Sequence, residues 1–298
     1  MQIIESRELL QAWSDGERAA GHRIALVPTM GALHDGHLSL VREARKRADR
    51  VIVSIFVNPT QFDDPSDFRG YPRVMEVDLA ACRAAGVDVV WTPTTEALYP
   101  DGPATWVDVE GLTEPLCGSN RPGHFRGVTT IVAKLFLAAR PDVAVFGEKD
   151  FQQLAVIRRM AADLGFGIEI ASGPTVREPD GLALSSRNVR LGPRARSQAS
   201  KIAESLAVAE RRVANGERSA ATILEAVRKK LGEASQARID YAELRDPQSL
   251  ELAPESLDGP TLLAIALQFE PDPDGKGAAV RLIDNRLLHP ISARSNPQ

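Results

Sequence analysis

The sequence predicts an α/β fold: a doubly wound parallel sheet with a smaller α+β C-terminal domain. Three observations carry that prediction. Over the first 175 residues, short apolar runs rich in Val and Ile alternate with amphipathic stretches. The runs are continuous, with no polar residue every second position, which is the pattern of strands covered on both faces. After about residue 180 the composition shifts to long Ala/Arg/Glu-rich segments followed by further strand-like runs.

RIALV (23–27) is the first substantial strand. It is followed by GHLSLVREARKRADR, where Leu38, Leu40, Val41 and Ala44 form an apolar stripe among basic residues. VIVSIFV (51–57) reads as a strand, PRVMEVDLAACRAAG as a helix and VDVVW (87–91) as a strand. Beyond a loop rich in Gly and Pro come the helix GVTTIVAKLFLAAR, the strand DVAVF (142–146), the helix DFQQLAVIRRMAADLG and the strand GIEIA (167–171). Helical intervals between buried strands imply right-handed parallel crossovers. In the second half, PRARSQASKIAESLAVAERRVANG and SAATILEAVRKKLGEA read as amphipathic helices, each with a glycine near its end. RIDYAELRD, TLLAIALQF and AAVRLIDN resemble strands, with EPDPDGKG as a loop between the last two. The domains are expected at 1–175 and 176–298. The junction falls in TVREPDGLALSSRN, which is too rich in chemically useful side chains for an idle linker.

The 298 residues are 43% hydrophobic and 26% charged, ordinary for a globular chain, with a net charge of −4. A pI near 5.8 gives no global case for nucleic acid or an anionic membrane. The basic run VREARKRADR lacks interleaved aromatics and reads as a solvated helix face. Glu5, Arg7 and Glu8 stand where a signal peptide would be apolar. No run approaches the roughly 20 apolar residues of a membrane span. Cys82 and Cys117 are far apart and read as buried reduced thiols, so a cytoplasmic setting is expected.

PTMGALHDGH (28–37) holds two of the chain's five histidines directly after the first strand. In open α/β sheets, ligands bind beyond the carboxyl ends of strands. Gly36 and His37 are expected to open the next helix, whose free N–H groups favour an anion, and a triphosphate is the obvious guest. Histidines there can donate to phosphate oxygens, and glycine lets the backbone approach. The alternative is a surface turn without chemistry. A zinc site lacks a third ligand, HExxH and GxGxxG are absent, and GxxxxGK[ST] fails at GKG (275–277). Lys149, at another strand-to-helix junction, reads either as a surface ammonium or as a mobile cation for phosphate. Asp150 is expected to cap the helix that begins there. Ser185 and Ser186 beside Arg187 make a compact anion grip.

At PTMGALHDGH the chain resembles the HxGH nucleotidyltransferase superfamily, which transfers AMP. More narrowly, it resembles the pantothenate synthetase family, the pantoate–β-alanine ligases. The matching stretches continue as VNPTQF (57–62), GYPR (70–73), EPLCG (114–118), RPGHFRGV (121–128), VFGEKDFQQL (145–154), PTVREPDGLALSSRN (174–188) and LIDN (282–285), in order through nearly the whole chain. The resemblance implies a Rossmann-like sheet and a C-terminal lid. It also implies ATP-dependent, AMP-forming condensation of (R)-pantoate with β-alanine through pantoyl adenylate, in coenzyme A biosynthesis. It assigns catalysis to His34, His37, Lys149, Ser185, Ser186 and Arg187. ATP is assigned to Met30, Gly31, Ala32, Leu33, His34, Asp35, Gly36, His37, Gly147, Glu148, Lys149, Asp150, Val176, Leu184, Ser185, Ser186 and Arg187. Pantoate and β-alanine are assigned to Gln61, Gln153, Tyr71 and Arg121. Mg²⁺ is expected with the ATP phosphates, with no dedicated protein ligands, and the expected assembly is a homodimer without nucleic-acid or membrane partners. His37 either donates a proton to the leaving group or only stabilises phosphate charge. EPDPDGKG is longer than the link expected from the resemblance and reads as solvent-exposed variation. The rival readings are a sister adenylyltransferase that stops after AMP transfer and a catalytically idle nucleotide-binding scaffold.

Overall fold

The structure is a computed structural model that describes residues 1–290. Two compact units part between Val176 and Arg177. Among the described residues no helix is long and apolar enough to cross a membrane.

The first unit runs β1 (Gln2–Ile4), α1 (Arg7–Ala19), β2 (Ile24–Thr29), α2 (Asp35–Arg45), β3 (Arg50–Ile55), α3 (Pro65–Gly70), α4 (Met75–Ala84), β4 (Val89–Trp91), α5 (Thr95–Leu98), α6 (Cys117–Asn120), α7 (His124–Ala139), β5 (Val143–Gly147), α8 (Phe151–Asp163) and β6 (Glu169–Gly173). Its six strands lie in the order β1-β4-β3-β2-β5-β6, and every neighbouring pair is parallel. Successive residues of a strand face opposite sides of its sheet, and β2 shows why its apolar run is unbroken. Ile24 and Leu26 join one cluster with Leu10 of α1, Ile131 of α7 and Ile157 of α8. Ala25 and Val27 join another with Leu40 and Val41 of α2 and Cys82 of α4. Helices therefore cover both faces.

The chain leaves β2 for β3 and β4 on one side, then crosses to β5 and β6 on the other. The order reverses between β2 and β5, and the loops after those two strands flank the crevice where such sheets bind ligands. One strand was not legible in the sequence: β1, on the sheet edge against β4, has three residues with only Ile4 buried. So short a segment carries no periodic signal.

The second unit contains α9 (Pro193–Ala199), α10 (Lys201–Ala214), α11 (Ala220–Leu231), β7 (Ala237–Arg245), β8 (Thr261–Phe269) and β9 (Val280–Leu288). The three strands form an antiparallel sheet with β8 in the centre. Ile202, Leu206, Ala209 and Val213 of α10 and Ile223, Val227 and Leu231 of α11, spaced at three or four residues, pack in one cluster with Leu263, Ile265 and Leu267 of β8. The single helix expected over 193–216 is two helices. They part at Ser200, whose ψ of −19° is closer to a 3₁₀ turn than to an α-helix.

The turn after β2 is held from outside by α4. Gly31 and Ala32 have φ of 80° and 50°, a left-handed region costly for alanine. Asp78 of α4, 1% exposed, accepts the Ala32 N–H at 2.9 Å and the Leu33 N–H at 2.7 Å. A Cβ on Gly31 would lie 2.9 Å from the Asp78 Oδ2 atom and 3.1 Å from Ile55, so only glycine fits beneath the carboxylate. Asp78→Ala removes both acceptors and is expected to lower unfolding free energy by about 1–3 kcal/mol, the cost of leaving buried donors unpaired. Urea titration reads this loss, and an unchanged midpoint would show that the turn does not need the clamp.

Candidate active site

His34 is the N-cap of α2, so the helix begins at Asp35, one residue earlier than the sequence suggests. The His34 Nδ1 atom accepts the Gly36 N–H at 3.1 Å, and the His34 N–H donates to the His37 Nδ1 atom at 3.3 Å. This is a reciprocal capping box of the kind usually made by Ser or Thr with Glu, here built from two imidazoles. With each Nδ1 atom accepting from backbone, the single ring proton of each neutral imidazole resides on Nε2. The ring centroids are 4.1 Å apart. Burial pushes the His37 pKa down to about 3, aided by the adjoining His34. Burial, then the Lys149 charge, lowers that of His34. Both rings therefore present neutral Nε2–H donors at neutral pH.

Lys149 and Asp150 sit in a 3₁₀ turn, Glu148–Asp150, between Gly147 at the end of β5 and the start of α8. Their charges act on both imidazoles, so the structure brings the β2 and β5 loops together. The Lys149 Nζ atom is 3.9 Å from the Asp150 carboxylate. Asp150 occupies the N-cap position of α8, but its side chain makes no capping bond, contrary to expectation. Its φ of −96° and ψ of 56° depart from the extended backbone that lets a cap side chain turn back. Glu148 is tied to β6 by accepting the Ser172 hydroxyl at 2.8 Å. Gln153 lies half-buried in the first turn of α8. Its neighbour Gln152, which sequence reasoning passed over, is buried and donates to the carbonyls of Leu112 and Pro115 while accepting the Cys117 N–H. It thereby fastens the EPLCG segment to α8.

Beyond β3, Asn58 organises the NPTQ turn. It is 1% exposed, donates to the Gln61 Oε1 atom and the Gly127 carbonyl, and accepts from the Thr60 and Tyr99 hydroxyls. The sequence suggested only a turn role for it. The signal was present in two amides three residues apart. Gln61, with its Oε1 taken, turns its Nε2 toward the Met30 Sδ atom at 3.2 Å, which places it beside the β2 loop. Arg121 bonds Asp63 at 2.7 Å and the Gln61 carbonyl at 3.2 Å, so it braces the same turn. Tyr71 is 5% exposed, its ring edge-on to Phe62. Among the described residues, no cluster of three or more His, Cys, Asp or Glu side chains could hold a metal ion.

Val176 closes the first unit. In the second, Leu184, Ser185, Ser186 and Arg187 are half-buried and precede a 3₁₀ turn, Asn188–Arg190. The Ser185 hydroxyl accepts the Arg187 N–H at 3.2 Å, a local bond that draws the three grip residues into one turn. Arg177 makes a two-pronged ion pair with Asp284 at 2.6 and 3.0 Å, which ties the TVREPDG segment to LIDN.

The first unit thus assembles neutral hydrogen-bond donors, an ammonium and an uncharged amide at the reversal of strand order, an arrangement suited to a polyanion beside a small polar acid. Residues 2–287 match the family model described as pantoate-beta-alanine ligase. The pantothenate synthetase of Geobacter sulfurreducens is 53% identical over 97% of this chain and 99% of its own. A pantothenate synthetase structure from Thermus thermophilus superposes with a TM-score of 0.90 at 42% identity, covering 97% of this chain and all of that one. The pantoate-beta-alanine ligase of Francisella tularensis, in complex with beta-gamma ATP and beta-alanine, gives 0.78 at 33% identity, with 96% and 97% coverage. The chain belongs to the pantoate–β-alanine ligase family.

Proposed function

We propose that this ligase joins pantoate to β-alanine in two steps at the expense of ATP. A carboxylate oxygen of pantoate attacks the α-phosphorus, the bond to the β-phosphate oxygen breaks, and pyrophosphate leaves with that electron pair. The β-alanine amine then attacks the acyl carbon of pantoyl adenylate, the acyl–oxygen bond breaks, and AMP and a proton are released with pantothenate. A free carboxylate is a poor electrophile, and the anhydride supplies the leaving group. The observation that carries this reading is the pair of Nε2–H donors beside Lys149 at the β2–β5 reversal.

In this reading the imidazoles hydrogen-bond phosphate oxygens as charge develops, and Lys149 supplies the positive charge. Capping and burial favour His37 as a neutral donor over a proton donor to pyrophosphate. Ser185, Ser186 and Arg187 also hold polyphosphate. Asp150 takes the ribose, and Gln61 and Gln153 take pantoate. The remaining nucleotide contacts, at Met30–His37, Gly147, Glu148, Val176 and Leu184, together with Tyr71 and Arg121 around the small substrates, follow the family assignment. Mg²⁺ enters as part of the ATP substrate, carried by phosphates and water, a habit that suits its reluctance to shed its hydration shell. A homodimer comes from the same resemblance, and a cytoplasmic setting from the reading of Cys82 and Cys117 as reduced thiols.

His37→Ala is expected to lower kcat for pantoate-dependent ATP–pyrophosphate exchange by about 10²–10³, the usual loss for one transition-state donor. His37→Gln, which keeps an N–H, should lose less. A pKa lowered to about 3 leaves His37 neutral from alkaline pH through the ordinary imidazole range, and protonation removes its role only as pH approaches that value. The exchange kcat should therefore be flat through the region near 6.5. A limb near 6.5 that vanishes in His37→Gln would establish the proton-donor role instead. Oxygen-18 in the pantoate carboxylate should emerge in AMP, and AMP free of label excludes the acyl adenylate.

A further inference from the structure

The EPDPDGKG loop between β8 and β9 is exposed along most of its length, with one departure from expectation: Asp272 is 4% exposed. Its carboxylate accepts the backbone N–H groups of Arg194 at 2.9 Å and Ala195 at 3.1 Å. These are orphan donors in the first turn of α9, whose own N-cap, Gly192, brings no side chain. The loop folds around this carboxylate, with the Asp272 N–H given to the Lys276 carbonyl and the Gly275 N–H to the Asp272 carbonyl. The Ala278 N–H donates to the Arg190 carbonyl. Contact is close enough to exclude side chains: a Cβ on Gly192 would fall 2.5 Å from the Asp272 Cγ atom, and one on Gly277 2.2 Å from the Gly192 nitrogen.

The residues gripped this way directly continue the Ser185–Arg187 turn. On the other side of that turn, Glu178 accepts from Asn188 at 2.7 Å, and Glu178 and Asp180 accept from Arg196 of α9, both at 2.6 Å. A displacement of α9 therefore pulls on both ends of the turn. We infer that the 270–278 loop positions the Ser185–Arg187 grip for the ATP polyphosphate, with Asp272 as its anchor and positioning residue. The inference rests on the phosphate role proposed above for that grip.

The test compares Asp272→Asn, Gly277→Ala and Arg187→Ala in steady-state assays of the full chain. Gly277→Ala keeps the carboxylate but forces the loop off Gly192, and so stands in if Asp272→Asn fails to fold. Both loop variants should raise the KM for ATP by about tenfold, the size of one weakened charge-assisted contact, while the KM for pantoate stays unchanged. A loop that only stabilises the hairpin would lower the unfolding midpoint and leave the KM for ATP untouched. That result, with Arg187→Ala still raising it, overturns the positioning role alone. An unchanged KM for ATP in Arg187→Ala overturns the phosphate assignment and this inference with it.

Discussion

A neutral imidazole has one proton and one free lone pair, so fixing the acceptor nitrogen fixes where the donor points. In the turn after β2, backbone N–H groups occupy the Nδ1 atom of both His34 and His37. The two rings begin the helix and are oriented by it through the same bonds. What remains for chemistry is a pair of Nε2–H groups, uncharged because protonation would have to break a cap as well as charge a half-buried ring. Positive charge comes instead from Lys149 on the neighbouring loop. In the proposed reaction this division of labour suits a pentacoordinate phosphorus centre, where donors that need no reorganisation are worth most.

Buried carboxylates recur around the motifs without being part of them. Asp78 holds the Ala32 and Leu33 amides, Asp272 those of Arg194 and Ala195, and Asp284 the Arg177 guanidinium. Burying a charge is unfavourable unless hydrogen bonds replace its hydration, and each of these has two or more. Each ties a loop in one part of the sequence to an element far along the chain. Loops proposed to hold an anion cannot rely on apolar packing, because their faces have to stay polar. A charge-assisted bond to backbone offers rigidity without closing the site.

The sheet was legible because burial on both faces leaves a local trace: IALV and VIV are unbroken apolar runs whatever their neighbours are. β1 left no trace in three residues, and the break at Ser200 lies inside a composition that suits helix on either side. In the site, His34, His37 and Lys149 announce themselves by type and by place after strands. Asp78 was the hardest to see. Its only sign was a single acid on the buried face of MEVDLAACRA, and its partners are 45 residues or more away in sequence.

Sequence alone therefore determined most of the strand and helix pattern, the position of PTMGALHDGH and GEKD directly after strands, and the family. Each of these is encoded in contiguous residues. Tertiary structure alone decided the strand order that reverses between β2 and β5, which ring nitrogens backbone N–H groups leave free, that Asp150 leaves its helix uncapped, and that an acidic loop hides the anchor of α9. Hydrogen-bond direction and burial depend on atoms brought together from distant parts of the chain, and no window of sequence contains both partners.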